Sequence, residues 1–177
     1  MRQLRFGKLA IDEVEIVIAT IADVDELTNV EVESKLQSFK DNEAVAIDYD
    51  TRHYRWNTYF NGQSPASAKP ERIVYKAVID GKTVGYIAGH LTTRYEKDAE
   101  IQSFYILGDH QRQGIGAKLL AEFLGWLQTQ GATSLCVGID STNPYQAFYL
   151  KHGAGYLNPH WMFWGDINEL QHKLEQD

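Results

Sequence analysis

The stretch Gln-Arg-Gln-Gly-Ile-Gly at residues 111–116 decides the fold, because it separates a strand pattern from a helix pattern. A β-rich run, 100–107, precedes it. After it comes a helix pattern that ends at Gly131. Its apolar residues recur at helical spacing: Leu119, Leu120, Phe123, Leu124 and Leu127. Glycines let main-chain N–H groups approach an anion, and a helix N-terminus adds partial positive charge. The stretch therefore predicts a phosphate-binding turn.

Two other phosphate-binding motifs are excluded by the same residues. Walker A requires Gly-x-x-x-x-Gly-Lys-Ser/Thr, and the dinucleotide fingerprint requires a third glycine where Leu119 stands. We therefore expect neither a nucleoside triphosphatase nor a dehydrogenase. A purely structural explanation stays open at this point, in which the glycines only let the helix and strand pack closely.

Strand patterns surround this turn. Asp80-Gly81 lies between two alternating apolar runs, 73–79 and 82–91, and predicts a β-hairpin. A further strand is expected at 134–139 and a last hairpin at 156–165. Because a strand, a helix and a strand follow one another from 100 to 139, we expect one parallel crossover in an otherwise antiparallel sheet.

Helix signals complete the pattern. Thr20 with Asp23 predicts a capped helix that buries Val24, Leu27 and Leu36 on one side. An aromatic segment, 49–60, is also expected to be helical. Further helices are predicted from Pro144 to about Lys151 and after Asp166.

Composition narrows the class of protein. The chain of 177 residues has 44% hydrophobic and 23% charged residues, ordinary values for one globular domain over residues 1–177. Its net charge of −7 argues against binding to nucleic acid, since such binding needs clustered Lys and Arg. Apolar runs are too short to cross a membrane, and the single Cys136 forms no internal disulfide, so we expect a cytoplasmic protein. The histidines and Cys136 lack metal-ligand spacing, and no metal is expected.

Two further blocks follow the turn in the chain. Residues 143–153 read Asn-Pro-Tyr-Gln-Ala-Phe-Tyr-Leu-Lys-His-Gly, and residues 161–166 read Trp-Met-Phe-Trp-Gly-Asp. Together with Gln-x-x-Gly-x-Gly at 111–116, these blocks resemble the GNAT superfamily of acetyl-CoA-dependent N-acetyltransferases, most clearly over residues 72–166. The resemblance implies the GNAT fold, which is α/β (α+β by the stricter convention). We expect one three-layer domain with a mixed, mostly antiparallel sheet of about seven strands, splayed near 104–106 so that acetyl-CoA enters the opening.

The resemblance also implies a cosubstrate and its contacts. Acetyl-CoA is expected as the acyl donor, held by the glycine turn, by strand main chain and by the Asn of the second block. The implied cofactor-binding residues are Phe104, Tyr105, Ile106, Gln111, Arg112, Gln113, Gly114, Ile115, Gly116, Ala117 and Asn143.

Two residues are expected to perform the chemistry. An amine must lose a proton to attack a thioester, and Glu100 stands near the start of its strand, where many family members have a glutamate base. We expect it to be partly buried beside Phe104 and Ile106, which share its strand face by alternation. Tyr149, six residues after Asn143, matches the family tyrosine that protonates the departing CoA thiolate.

The acceptor is less defined than the donor. Residues 11–50 contain twelve Asp or Glu residues but only two basic ones, Lys35 and Lys40. This segment is either a solvated helical face or an acidic rim that attracts a cationic amine. We predict transfer to a primary amine of a small molecule or polyamine. The alternatives are a protein N-terminal or lysine acetyltransferase and a non-catalytic acyl-CoA-binding module. The apolar run 161–164 favours a homodimer.

Overall fold

A mixed sheet forms the centre of the computed structural model, which describes residues 13–38, 48–139 and 145–176. Within these ranges the sheet has seven strands in the order β1-β2-β3-β4-β5-β7-β6. The strands are β1 (Glu15–Ile18), β2 (Ala68–Ile79), β3 (Lys82–Thr92), β4 (Ala99–Ile106), β5 (Leu135–Gly138), β6 (Gly155–Asn158) and β7 (Trp161–Trp164). Among the described strands, only β4 and β5 pair in parallel. The predicted seven-stranded, mostly antiparallel sheet is confirmed.

Five α-helices accompany the strands in the described residues. They are α1 (Val24–Ser38), α2 (Tyr49–Phe60), α3 (Ile115–Thr129), α4 (Gln146–Lys151) and α5 (Ile167–Glu175). The capping box predicted from Thr20 and Asp23 is present, since the Asp23 carboxylate accepts a hydrogen bond from the Thr20 N–H at 2.8 Å. Pro144, the predicted start of α4, lies outside the described residues.

Helices cover both faces of the sheet. Trp56 of α2 packs edge-on against Tyr86 of β3, with ring centroids 5.0 Å apart. Gly89, three residues along the same strand, faces Phe123 of α3. Because successive side chains of a strand point to opposite faces, α2 and α3 lie on opposite sides of the sheet. The predicted three layers are confirmed.

The buried side of α3 forms much of the core. Five of its large apolar side chains are at most 1% exposed, and burial of each contributes roughly 1.5–3 kcal/mol. They are the residues of the predicted helical pattern: Leu119, Leu120, Phe123, Leu124 and Leu127. This helix therefore fixes the layer on which the glycine turn rests.

The prediction that α1 buries Leu36 is wrong, because that side chain is 54% exposed. At 100° per residue, Leu36 points about 180° away from Leu27, which is fully buried. The inner side of α1 near its end is instead formed by polar residues, of which Glu31 is 7% exposed.

A bulge in β4 changes which residues share a face. Ser103 is opposite Ala88 of β3, whereas Ile101 is opposite Gly89, so Gln102 is an extra residue in β4. The side chains after the bulge are therefore reversed relative to simple alternation.

Glu100 consequently does not share a face with Phe104 and Ile106, and that prediction is wrong. Glu100 is opposite His90 of β3, on the side of α2, whereas Phe104 and Ile106 pack against Gly116 at the start of α3. Alternation places residues correctly only along an uninterrupted strand.

The strand considered for dimerisation lies inside the sheet. β7 pairs with β5 on one side and β6 on the other, so β6 is the strand at this edge. Trp161 also packs under the Arg94 guanidinium, whose carbon is 4.6 Å from the ring centroid. A homodimer stays a prediction, and one formed by sheet extension at this edge would use β6.

The close contact at Gly89 generates a stability test. An added Cβ would lie 2.2 Å from the Phe123 ring and 2.8 Å from the Glu100 carbonyl oxygen. We expect Gly89→Ala to lower the free energy of unfolding by about 1–3 kcal/mol through overpacking. Gly125→Ala in α3 is the control, since its Cβ meets no atom within 4 Å and alanine favours helix by about 1 kcal/mol. Urea unfolding of both variants measures the difference, and equal stability would contradict this packing.

Candidate active site

An opening between β4 and β5 forms the candidate site. The two strands pair only from Ala99–Leu135 to Ile101–Val137, and β4 continues beyond that point without pairing to β5. A cleft of about 170 Å³ lies there. Its walls include Ser103 and Tyr105 on one side and Tyr149 on the other.

The glycine turn lies at the same end of β4. Gly114, immediately before α3, adopts a left-handed conformation with φ of 84°. Glycine is favoured at this position because it adopts positive φ without a steric clash. The first N–H groups of any α-helix have no partner within the helix, and Gly114 has no side chain with which to cap them. A Cβ on Gly116 would lie 3.1 Å from Ile106 Cδ1, so the helix start rests directly on β4. This arrangement can bind an anion beside the opening.

The other predicted turn residues have different surroundings. Arg112 is exposed with φ of 60°, and the Gln113 amide donates back to the Asp109 carbonyl at 3.1 Å. Ile115 is buried, whereas Ala117 is half-buried in the first turn of α3. These two positions therefore offer main-chain rather than side-chain polar groups. Asn143 lies outside the described residues.

The last residues of β4 present main-chain groups to the opening. Gln111 Nε2 donates to the Ile106 carbonyl at 2.9 Å and to the Tyr145 hydroxyl at 3.2 Å. The Ile106 N–H donates to the same hydroxyl at 3.4 Å. Alternate residues of a strand point their main-chain N–H and C=O groups to the same side. The main-chain groups of Phe104 therefore face the opening as those of Ile106 do. Sequence reasoning missed Tyr145, although it follows Asn143 closely in the second block.

Tyr105 contributes differently. Leu107 N donates to the Val84 carbonyl at 2.9 Å, so Leu107 and Tyr105 bond to β3 rather than to the opening. The Tyr105 ring instead lines the cleft on the side of α1. Its main chain is therefore not available to a ligand between β4 and β5.

Tyr149 lines the cleft from α4 and is 2% exposed. Its ring packs edge-on against Trp164, with centroids 5.6 Å apart. Within the described residues its hydroxyl has no hydrogen-bond partner. Burial raises the pKa of Tyr149, so the hydroxyl keeps its proton at neutral pH. It can act as a hydrogen-bond donor into the cleft.

Glu100 lies behind the cleft wall rather than in it and is 4% exposed. Its Oε2 accepts a hydrogen bond from Arg94 Nε at 3.2 Å and lies 3.3 Å from His90 Nε2. His90 Nδ1 is 3.1 Å from the hydroxyl of Tyr59, which does line the cleft. A buried chain of polar groups therefore connects Glu100 with the cleft through His90 and Tyr59.

A cluster of charged side chains from α1 and α2 forms the remaining wall. Glu31 accepts from Lys35 at 3.2 Å, from Arg52 at 3.4 Å and from the Trp56 indole at 3.1 Å. Arg55 lines the same cleft, is exposed and forms no ion pair with any described residue. We refer to Lys35, Arg52 and Arg55 as the cationic cluster. Sequence reasoning missed this cluster because its residues lie in or next to a strongly acidic segment. A signal was present, since residues three or four positions apart, such as 31 and 35 or 52 and 55, lie on the same side of a helix.

Cys136 shows no sign of reactivity. It is fully buried in β5, and burial raises the pKa of its thiol to about 12. The thiol is therefore protonated at neutral pH, whereas nucleophilic catalysis needs a thiolate. No group of three or more potential metal ligands, and no helix long and apolar enough to cross a membrane, occurs in the part of the chain that the structure describes.

Solved structures share this fold. The PaiA N-acetyltransferase of Thermoplasma acidophilum in complex with coenzyme A superposes with a TM-score of 0.66 at 18% identity, covering 85% of this chain and 96% of that one. An acetyltransferase of Thermus thermophilus gives 0.65 at 21% identity, covering 85% and 94%. A GNAT family acetyltransferase of Brucella melitensis in complex with acetyl-CoA gives 0.55 at 18% identity, covering 85% and 86%. These TM-scores show a common fold.

Sequence comparison gives the family itself. No curated protein matches the chain significantly in sequence. The profile of the Acetyltransferase (GNAT) family matches residues 31–154, which include the second half of α1, the opening between β4 and β5, the glycine turn and Tyr149. The chain belongs to the Acetyltransferase (GNAT) family and is an acyltransferase.

Proposed function

We propose that this acetyltransferase transfers the acetyl group of acetyl-CoA to the primary amine of a small molecule by direct attack. The opening between β4 and β5 supports this proposal best. It joins the glycine turn, where phosphates would bind, to a cleft lined by Tyr149 and a separate polar wall. One ligand could therefore enter from each side and meet at Tyr149.

In this proposal the cosubstrate lies along the end of β4. Its pyrophosphate accepts hydrogen bonds from the N–H groups of residues 112–117 at the start of α3. Its pantetheine amides pair with the main chain of Phe104, as an added strand would. They pair with Ile106 after displacing the Tyr145 and Gln111 side chains that bond its main chain. Asn143 is proposed as a further pantetheine contact. The thioester then lies in the cleft beside Tyr149.

The reaction forms one bond and breaks another at the acetyl carbon. The neutral amine attacks the thioester carbonyl, a C–N bond forms, the C–S bond breaks, and the sulfur leaves as thiolate. Tyr149 acts as the acid, since its protonated hydroxyl can donate to this sulfur as negative charge develops. The amine nitrogen loses one proton and the CoA sulfur gains one, so the products are the amide and free CoA thiol.

Glu100 is proposed to receive the amine proton indirectly. Its carboxylate does not line the cleft, but His90 and Tyr59 connect it with the cleft at 3.3 Å and 3.1 Å. Transfer along this chain, with water between Tyr59 and the amine, moves the positive charge from the amine towards a buried carboxylate. The Arg94 ion pair keeps that carboxylate in a fixed position.

Direct measurement of cosubstrate binding is the first test. Isothermal titration with acetyl-CoA should show micromolar affinity that free adenine nucleotides do not reproduce. Transfer is then followed as CoA release with a panel of amines. A folded protein that does not bind acetyl-CoA would contradict the proposal, and binding without transfer would favour the non-catalytic alternative.

Gly114 tests the proposed phosphate contacts. Valine at a left-handed position is strained by roughly 1–3 kcal/mol and would also displace the N–H groups of the turn. We expect Gly114→Val to weaken acetyl-CoA binding at least about tenfold while the domain stays folded. Gly131→Val is the control, because Gly131 has a similar φ of 74° but lies after α3, away from the turn. Equal affinity of the two variants, measured by titration, would refute the placement.

Tyr149 tests the proposed acid. Tyr149→Phe removes one hydroxyl and should lower kcat by about 100-fold, within the usual range for general acids, while acetyl-CoA affinity stays nearly unchanged. Tyr156→Phe makes the same change at an exposed position on β6 and should alter neither. Steady-state kinetics and titration separate the two effects. Equal loss of turnover and affinity would reject the role.

Glu100 tests the proposed proton path. Glu100→Gln keeps the shape of the side chain but cannot accept a proton, so kcat/KM should fall about 100-fold at pH 7. Activity should recover at alkaline pH, where the amine is already neutral. Asp98→Asn, which removes a carboxylate bonded to the Thr133 N–H, should cost stability without changing the pH profile. A uniform loss across pH in Glu100→Gln would indicate a structural role only.

A further inference from the structure

We propose that the acceptor amine carries a carboxylate, which the cationic cluster binds on the α2 side of the cleft. This inference rests on the proposed transfer and names its substrate class. It replaces the expectation of a polyamine with that of an amino acid or similar small amino carboxylate.

The charge of the cleft supports an anionic acceptor. Among the described residues that line it, Lys35, Arg52 and Arg55 are cationic and Glu31 is the one acidic residue. The Glu31 carboxylate already accepts hydrogen bonds from Lys35, Arg52 and Trp56. The wall therefore keeps excess positive charge, which repels a polyamine and attracts a carboxylate.

Lys35 is a half-buried member of the cationic cluster. Burial lowers the pKa of Lys35, and the positive charges of Arg52 and Arg55 lower it further, although Glu31 opposes both effects. Its ammonium nitrogen also lies 5.5 Å from the centroid of the Tyr105 ring. A bound carboxylate would relieve the repulsion among these three cations.

Arg55 is the residue most available to a ligand. It is exposed, lines the cleft and forms no ion pair with a described residue, whereas Arg52 bonds Glu31. A guanidinium can bind a carboxylate with two parallel hydrogen bonds. Arg55 would thus fix the acceptor through its carboxylate and leave the amine free to reach the thioester beside Tyr149.

The acidic residues of the N-terminal segment face other partners. Asp23 and Glu26 both bond Lys76 at 2.9 Å, and Glu26 also accepts from Thr83 at 2.6 Å. Asp25 bonds His53 at 2.7 Å. Glu31 is thus the one described acidic residue that lines the cleft, and Lys35, Arg52 and Trp56 already bond its carboxylate, so the described residues form no acidic rim there.

Matched acceptor pairs test the inference. Each standard amino acid is compared with its carboxamide, in which a neutral amide replaces the charged carboxylate, and diamines complete the panel. CoA release is measured with the full-length protein. We expect kcat/KM to be at least about tenfold higher for the acid than for the amide in the best pair.

Charge reversal identifies the site. Arg55→Glu should remove or invert the preference for the acid, while acetyl-CoA affinity by titration stays unchanged. Lys69→Glu reverses an exposed charge on β2 outside this cleft and should keep the preference. Parallel loss of acetyl-CoA affinity in Arg55→Glu would overturn the inference, because the cation would then serve the cosubstrate.

The remaining outcomes separate the two proposals. Transfer to amides or diamines as fast as to acids would overturn the acceptor inference and leave the proposed function intact. Binding of acetyl-CoA without acetylation of any amino carboxylate would also overturn the acceptor inference. Failure to bind acetyl-CoA would overturn the proposed function, and this inference with it.

Discussion

The short parallel pairing of β4 with β5 is the constraint on which the site depends. Asp98 fixes one end of this pairing, because its carboxylate accepts hydrogen bonds from Thr133 N at 2.8 Å and Ser134 N at 3.3 Å. These bonds lower the pKa of Asp98. After Ile101–Val137 the pairing ends, and the main chain of Ile106 is bonded to Gln111 and Tyr145 instead. The strands are thus joined at one end and separated at the other by specific polar contacts.

Much of this architecture could be predicted from the sequence, since local signals agreed with the final fold. The Asp80-Gly81 hairpin, the capping box at Thr20 and the helix after Gly114 all depend on residues close together in the chain. Their turn and capping chemistry does not need distant partners. The order of these elements was enough to predict the mixed sheet.

The unpredicted features depend on contacts between distant residues. The bulge at Gln102 follows from register with β3, which strand alternation alone does not reveal. The cationic cluster could not be predicted from net charge, because a sum of charges does not show towards which surface each side chain points. Asp23 and Glu26, for example, bond Lys76 and not a residue of the cleft. The path from Glu100 through His90 to Tyr59 joins residues of β4, β3 and α2, and no local pattern indicates it.

The bulge at Gln102 has a consequence for how such a protein can diversify. Because it reverses the strand faces, Tyr105 points to the α1 and α2 layer, while Phe104 and Ile106 pack beneath the glycine turn on α3. Residues that would choose the acceptor and residues that would hold the cosubstrate therefore come from different layers of the sheet. In the proposed arrangement, substitutions in α1 and α2 would change the acceptor side of the cleft without touching the glycine turn on α3.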